Sequence, residues 1–206
     1  MSIHRSVGTQ SEILKAIKSL HCPEGFECDI TYGHGKFYDS SDQDLLPPLL
    51  KFDIQPMVVG VTKACSTSLP IASGSLSNVL FDPPFLTYVR AGRIGNDEMI
   101  MAKRFGGYWR YDELLTHYTT TIDEVKRVLK PKGKMIVKCQ DIIHDHRMQC
   151  THLNVVKYAE ANGFRLLDLF ILPSTNRMKV VPANKLSGVQ KHARVHHSYF
   201  LVLVRV

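Results

Sequence analysis

Asp82, Pro83, Pro84 and Phe85 stand directly behind the apolar run Val79-Leu80-Phe81. Four consecutive residues thus bring a carboxylate, two carbonyls on residues that lack an N–H, and an aromatic face. Such a set can hold a flat amine. The Asp82 carboxylate and the Pro83 carbonyl accept hydrogen bonds from an exocyclic NH2, and the Phe85 ring gives a base a surface to stack on. The apolar run has the character of a short buried parallel strand, stopped because prolines cannot donate to a sheet ladder. Asp82 then falls at the carboxyl end of that strand, the edge at which open α/β sheets bind ligands. A strand that merely ends in a Pro-Pro turn accounts for the same four residues.

The elements that must position this group follow from the patterning on either side. Residues 8–20 predict an amphipathic helix, with Thr9 or Ser11 as N-cap and Ile13, Leu14, Ile17 and Leu20 at helical spacing. Residues 26–31 predict a first strand, followed by a loop in which Gly33 and Gly35 allow tight backbone approach. A dinucleotide fingerprint would want a third glycine where Tyr38 stands, which argues against NAD or FAD. Residues 49–53 predict a second strand ending in Asp53, 24 residues beyond Asp29. Nucleoside-binding α/β folds place an acid for ribose hydroxyls at about that spacing. Residues 43–50, with Pro47-Pro48, make a poor helix and predict an irregular crossover; residues 56–77 predict a helix or turn, a short third strand and a loop.

Beyond Phe85, Arg90, Arg93, Lys103 and Arg104 interleave with Tyr88, Phe105, Tyr108 and Trp109. That mixture suits a surface that tracks a phosphate backbone and stacks on bases, although Trp109 and Tyr111 equally suit anchoring the next helix. That helix carries Leu114, Leu115, Ile122, Val125 and Leu129 toward a core and stops at Lys130-Pro-Lys-Gly133. A buried strand is predicted at 135–139, a polar loop and helix N-terminus near 142–152, and a helix over 153–162 capped by Gly163. His144, His146, Cys150 and His152 raise a metal site, but no second pair sits at zinc-ligand spacing, so no metal is expected. Residues 165–172 and 198–205 are long apolar strands, predicted to pair antiparallel at the sheet edge. The stretch between them carries Arg177, Lys179, Lys185, Lys191 and Arg194, a second candidate for phosphate contact.

Bulk properties narrow the function classes. The chain of 206 residues, 44% hydrophobic and 22% charged, predicts one soluble α/β domain. A net charge of +7, from 26 Lys plus Arg against 19 Asp plus Glu, favours a polyanionic partner. Five scattered cysteines without a CxxC pair point to a reducing, cytoplasmic setting. No apolar run approaches the roughly 20 residues that span a bilayer, so no membrane partner is expected.

The order Asp29-Ile-Thr-Tyr-Gly-His-Gly35, Asp53, Leu69-Pro70 and Asp82-Pro-Pro-Phe85 resembles Rossmann-type S-adenosylmethionine-dependent methyltransferases. Within them it resembles the branch that methylates exocyclic amino groups of nucleic-acid bases. Gly8-Thr-Gln-Ser11 is similar to that branch's amino-terminal motif, which in many members reads Pro-Thr-Gln-Lys. The resemblance covers nearly the whole chain. It implies a mostly parallel seven-stranded sheet with a C-terminal antiparallel strand, in a single domain over residues 1–206. It further implies that Asp29, Gly33 and Gly35 surround the methionine part of S-adenosylmethionine, that Asp53 holds the ribose, that Gln10 lies nearby, and that Thr31 and Tyr32 also contact the cofactor. Asp82, Pro83, Pro84 and Phe85 would be catalytic. Where many members carry an acid to read adenine, this chain has Cys65-Ser66-Thr67, so Ser66 or the backbone would take that contact. The implied substrate is adenine, in DNA ahead of RNA; a catalytically silent nucleic-acid-binding module on the same fold is the alternative from another class. None of the five cysteines follows a proline, so the Pro-Cys nucleophile of carbon-methylating enzymes is missing.

Overall fold

A computed structural model of the chain describes residues 3, 4, 6, 8–38, 44–85, 87, 107–174 and 192–206. Helix α1 spans Gln10–His21 and opens on a reciprocal cap: the Glu12 N–H donates to Thr9 Oγ1 at 3.3 Å, and the Thr9 N–H donates to Glu12 Oε2 at 2.9 Å. Thr9, not Ser11, is therefore the N-cap. Ile13, Leu14, Ala16 and Ile17 form its buried face. Helix α2 spans Tyr111–Val128 and α3 spans Thr151–Ala161.

The strands are β1 (Cys28–Asp29), β2 (Leu50–Asp53), β3 (Thr62–Lys63), β4 (Leu76–Phe81), β5 (Leu129–Cys139), β6 (Ile142–His144), β7 (Arg147–Gln149), β8 (Phe164–Pro173) and β9 (His197–Arg205). Seven of them form one sheet in the order β3-β2-β1-β4-β5-β9-β8. The pairs from β3 to β5 are parallel, and β9 runs antiparallel to both its neighbours. This is the mostly parallel seven-stranded α/β sheet that the family resemblance implies, with the antiparallel strand last in the chain.

Side chains alternate across the sheet, and the two cores follow that alternation. Val79, Phe81, Met135, Val137 and Cys139 point to one face, where α2 contributes Leu114, Tyr118, Ile122 and Val125 and α3 adds Val155 and Ala159. Leu80, Ile136, Phe200 and Val202 point to the other, against Ile13, Leu14 and Ile17 of α1.

Four local differences from the sequence reading have physical reasons or small extents. The first strand is cut to two residues because its ladder with β2 and β4 covers only Cys28 and Asp29. Strand β5 begins at Leu129 rather than 135, directly behind α2, and a register shift opposite Leu76–Asn78 absorbs Lys130-Pro-Lys-Gly133, with Lys132 at φ 63°. The expected polar loop near 142–149 is the β6–β7 hairpin, whose central residues Asp145 (φ 48°) and His146 (φ 58°) supply the two positive φ values of a primed turn without a glycine. The helix predicted over 153–162 begins two residues earlier, at Thr151.

Candidate active site

Leu80 pairs with Ile136 and Phe81 with Val137 in the parallel β4–β5 ladder. The next position outward on each strand is Asp82 and Lys138, on the face shared with α1. Both lie just past the last apolar rung, so neither has to cross the core. Asp82 Oδ2 accepts from Lys138 Nζ at 3.2 Å, with the two side chains 21% and 12% exposed. The same ammonium donates to Gln10 Oε1 at 2.9 Å from the first residue of α1. It also lies 5.0 Å from the Phe37 ring centre, 5.6 Å from Phe200 and 5.9 Å from Phe85, all within cation–π range. Asp82 Oδ1 is shielded from solvent and takes no hydrogen bond among the described residues. Burial pushes the Asp82 carboxyl above its usual range, and the Lys138 charge opposes that push.

The neighbouring strand ends are tied to this one by hydrogen bonds. The Asp82 N–H donates to Thr31 Oγ1 at 2.7 Å. The Thr31 N–H donates to Asp29 Oδ1 at 2.9 Å, and Tyr38 Oη donates to Asp29 Oδ2 at 2.9 Å. Asp29 is only 1% exposed, and burial is the first cause that raises its carboxyl to about 7. Asp53, at the end of β2, accepts from the Gly33 N–H at 2.8 Å and from the Gln55 N–H at 2.8 Å. The turn from Tyr32 closes through the Gly35 N–H to Tyr32 O bond of 2.8 Å. Glycine is required at 35, where φ is +70° and a Cβ would lie 2.6 Å from Tyr32 Oη.

Thus Gln10, Thr31, Asp82 and Phe85 are brought together around Lys138 and the end of β4, while Tyr32, Gly33, Gly35 and Asp53 are gathered one and two strands away. Pro83 is buried and Pro84 half-buried beside them. Ser66 is buried against α2 instead, its hydroxyl 2.7 Å from His117 Nε2 and 3.1 Å from Thr121 Oγ1. His117 Nδ1 in turn meets Tyr108 Oη. Arg90, Arg93, Lys103, Arg104, Arg177, Lys179, Lys185 and Lys191 lie outside the described residues; Arg194 is exposed. Of the histidines weighed as metal ligands, His152 Nδ1 is instead bonded to Asp141 Oδ1 at 2.7 Å. No group of three or more metal-ligating side chains converges among the described residues.

Sequence reasoning gave no role to Lys138, Phe37, Phe200, Tyr38 or His117. Nothing local marks Lys138, which lies inside the strand predicted at 135–139.

No family model matches the chain, and no curated protein does. Solved structures do match. An S-adenosylmethionine-dependent methyltransferase of Thermotoga maritima, described as a possible histamine N-methyltransferase, aligns over 94% of this chain and 87% of its own, with 13% identity and a TM-score of 0.51. The fold is the Rossmann-like methyltransferase fold. A 4+2 cyclase, SpnF, shares it over 95% of this chain and 81% of its own, at 12% identity and a TM-score of 0.56. The same fold thus carries unlike activities, and function has to be argued from the site. A DNA modification methylase of Thermus thermophilus also aligns, at 13% identity over 87% of this chain, with a TM-score of 0.43. This chain spans about half the length of that protein, 54% of it. No described helix is long and apolar enough to cross a membrane.

Proposed function

We propose that the chain is an S-adenosylmethionine-dependent methyltransferase that acts on an exocyclic amino group of a nucleic-acid base, adenine in DNA, and that residues 1–206 work as one cytoplasmic domain. The observation that carries this reading is Asp82 Oδ1: a shielded carboxylate oxygen without a hydrogen-bond donor among the described residues, at the carboxyl end of a central parallel strand, followed by two prolines and an aromatic ring. A buried acceptor left open costs stability, and an incoming N–H would remove that cost.

The cofactor-side residues suit a nucleoside carrying a charged tail. Asp53 is aligned by two backbone N–H groups yet keeps lone pairs for ribose hydroxyls. Tyr32, Gly33 and Gly35 form the turn beside it, and Gln10 and Thr31 border the place where methyl and amine would meet. When bound, S-adenosylmethionine supplies an electrophilic methyl group. An aromatic amine is a weak nucleophile because its lone pair is delocalised into the ring. Asp82 Oδ1 and the Pro83 carbonyl would accept its two N–H groups, localise the lone pair and aim it, and Asp82 would receive the proton that the amine sheds as the methyl leaves the sulfonium. Phe85 would stack on a base flipped out of its helix. The two basic stretches, 88–106 and 175–191, begin after β4 and β8, whose carboxyl ends lie on the edge that carries Asp82; the second holds Arg177, Lys179, Lys185 and Lys191 with no acid. That charge suits phosphate contacts without sequence readout.

Methyl transfer from labelled S-adenosylmethionine to DNA, RNA and protein, read by nucleoside mass spectrometry, tests the reading. The expected product is N6-methyladenine in DNA. Asp82→Ala should lower the single-turnover rate by about 10²–10³-fold or more with cofactor affinity near wild type. Undiminished transfer in that variant, or a methyl on a ring carbon, would overturn the mechanism; transfer to RNA alone would move the substrate.

A further inference from the structure

Strand β5 puts a lysine where the sheet face offers mainly apolar and aromatic neighbours. Lys138 follows Ile136 on the α1 side, and its ammonium is met by three phenylalanine rings, one amide oxygen and one carboxylate oxygen. An ammonium held so tightly gains little from water and cannot swing away from Asp82 without leaving the rings. We propose that Lys138 is a positioning residue for methyl transfer: it clamps Asp82 through Oδ2, keeps the carboxylate anionic, and leaves Oδ1 as its one acceptor for the target amine.

This rests on the reading that Asp82 receives the amine, and it adds a reason for selectivity. A carboxylate free on both oxygens could turn to meet a donor from many directions, whereas the Lys138 contact fixes its plane and the Thr31 hydroxyl fixes its backbone N–H. One open acceptor then faces one N–H of the target. A base with a carbonyl at the same place would bring an oxygen lone pair against Oδ1 and be rejected, as unpaired buried polar groups are costly.

Lys138 also counters burial. Among the described residues, the ionisable groups around Asp82 are Asp29 on β1, Lys138 and Cys139 on β5 and Tyr118 on α2. Lys138 is the one cation among them. Asp29 adds a like charge when ionised, and burial raises Cys139 and Tyr118 so that both stay neutral near pH 7. Without Lys138 nothing described on these elements would hold Asp82 ionised.

Carboxyl ¹³C NMR on the full chain, with Asp82→Asn to assign the Asp82 signal, tests the clamp without relying on activity. In Lys138→Met the Asp82 midpoint should rise by at least about one pH unit, and Lys138→Arg should bring it most of the way back. The acid limb of the single-turnover profile should move by the same amount, which a merely structural role would not do. An unchanged midpoint in folded Lys138→Met overturns the proposal. Should that variant not fold, the wild-type ¹⁵N signal of the Lys138 ammonium decides: it should titrate with the Asp82 midpoint and lose that step in Asp82→Asn, and a signal indifferent to Asp82 overturns the clamp. Wild-type protein that methylates no base amine would sink the enzymatic reading, while the midpoints would still decide whether Lys138 holds Asp82.

Discussion

Asp29 and Asp82 end neighbouring parallel strands, and their surroundings put the two carboxylates to opposite uses. Asp29 has both oxygens filled from within the chain, by the Thr31 N–H and the Tyr38 hydroxyl, and is almost wholly buried. Asp82 has one oxygen on Lys138 and the other open. The first carboxylate is closed around itself and fixes the start of the glycine turn. The second is half-finished, and a guest would complete it. An unfilled acceptor at one strand end, beside full satisfaction at the next, fits the proposal that Asp82 is the site and Asp29 its support.

Stability measurements should separate the two ends most strongly. Asp29→Ala leaves a half-buried N–H and a buried hydroxyl without partners and is expected to cost about 2–4 kcal/mol in urea unfolding. Asp82→Asn should change stability by under about 1 kcal/mol, because burial opposes the Asp82 charge more than Lys138 supports it, and an amide oxygen can still accept from the ammonium. Equal losses in the two variants would erase the distinction between support and site.

The pH dependence sharpens it. The folded Asp29 carboxyl holds its proton up to about 7, against an ordinary value of 3.8. Native protein therefore binds more protons than unfolded chain between those values, so the Asp29 contribution is full below about pH 4 and lost as pH rises through about 7. The slope from this one group is at most about 1.4 kcal/mol per pH unit. Asp29→Asn should flatten the fall in unfolding free energy between pH 5 and 7, measured by urea titration at each pH; a slope as steep as wild type would show that Asp29 is ionised throughout.

How much of this was legible in the sequence depends on whether a residue's role is local. The place of Asp82 at a strand end was legible because the prolines that stop the strand and the apolar run that builds it are contiguous with it. The antiparallel β8–β9 pair was legible because both strands are long and apolar. Lys138 was not, since its meaning lies in the Leu80–Ile136 and Phe81–Val137 register, which joins residues 56 positions apart. Tyr38 was noticed only as the residue that spoils a glycine fingerprint, although its hydroxyl serves Asp29. The β6–β7 hairpin escaped because Asp145-His146 carries none of the glycine that usually marks a primed turn. Ser66 shows the limit from the other side: it was singled out only by resemblance, and packing alone shows its hydroxyl bonded to α2.

The two aromatic residues that flank these carboxylates should differ in kind. Tyr38→Phe removes the hydroxyl from Asp29 and keeps the ring stacked 5.6 Å from Tyr32, so it should cost about 1 kcal/mol of stability and leave the catalytic rate nearly intact. Phe85 makes no hydrogen bond through its side chain, and its ring lies 5.9 Å from the Lys138 ammonium. Phe85→Ala should leave stability nearly unchanged but weaken capture of the flipped base by about 1–3 kcal/mol, a loss that appears in KM before kcat. Phe85→Trp should differ least from wild type, because an indole still stacks on a base and holds a cation over its face. Activity lost in Phe85→Trp while Phe85→Ala retains it would mean that the ring fills a tight wall and stacks on nothing. The Asp82 end would then be closed like the Asp29 end, and the amine would have to approach from another side.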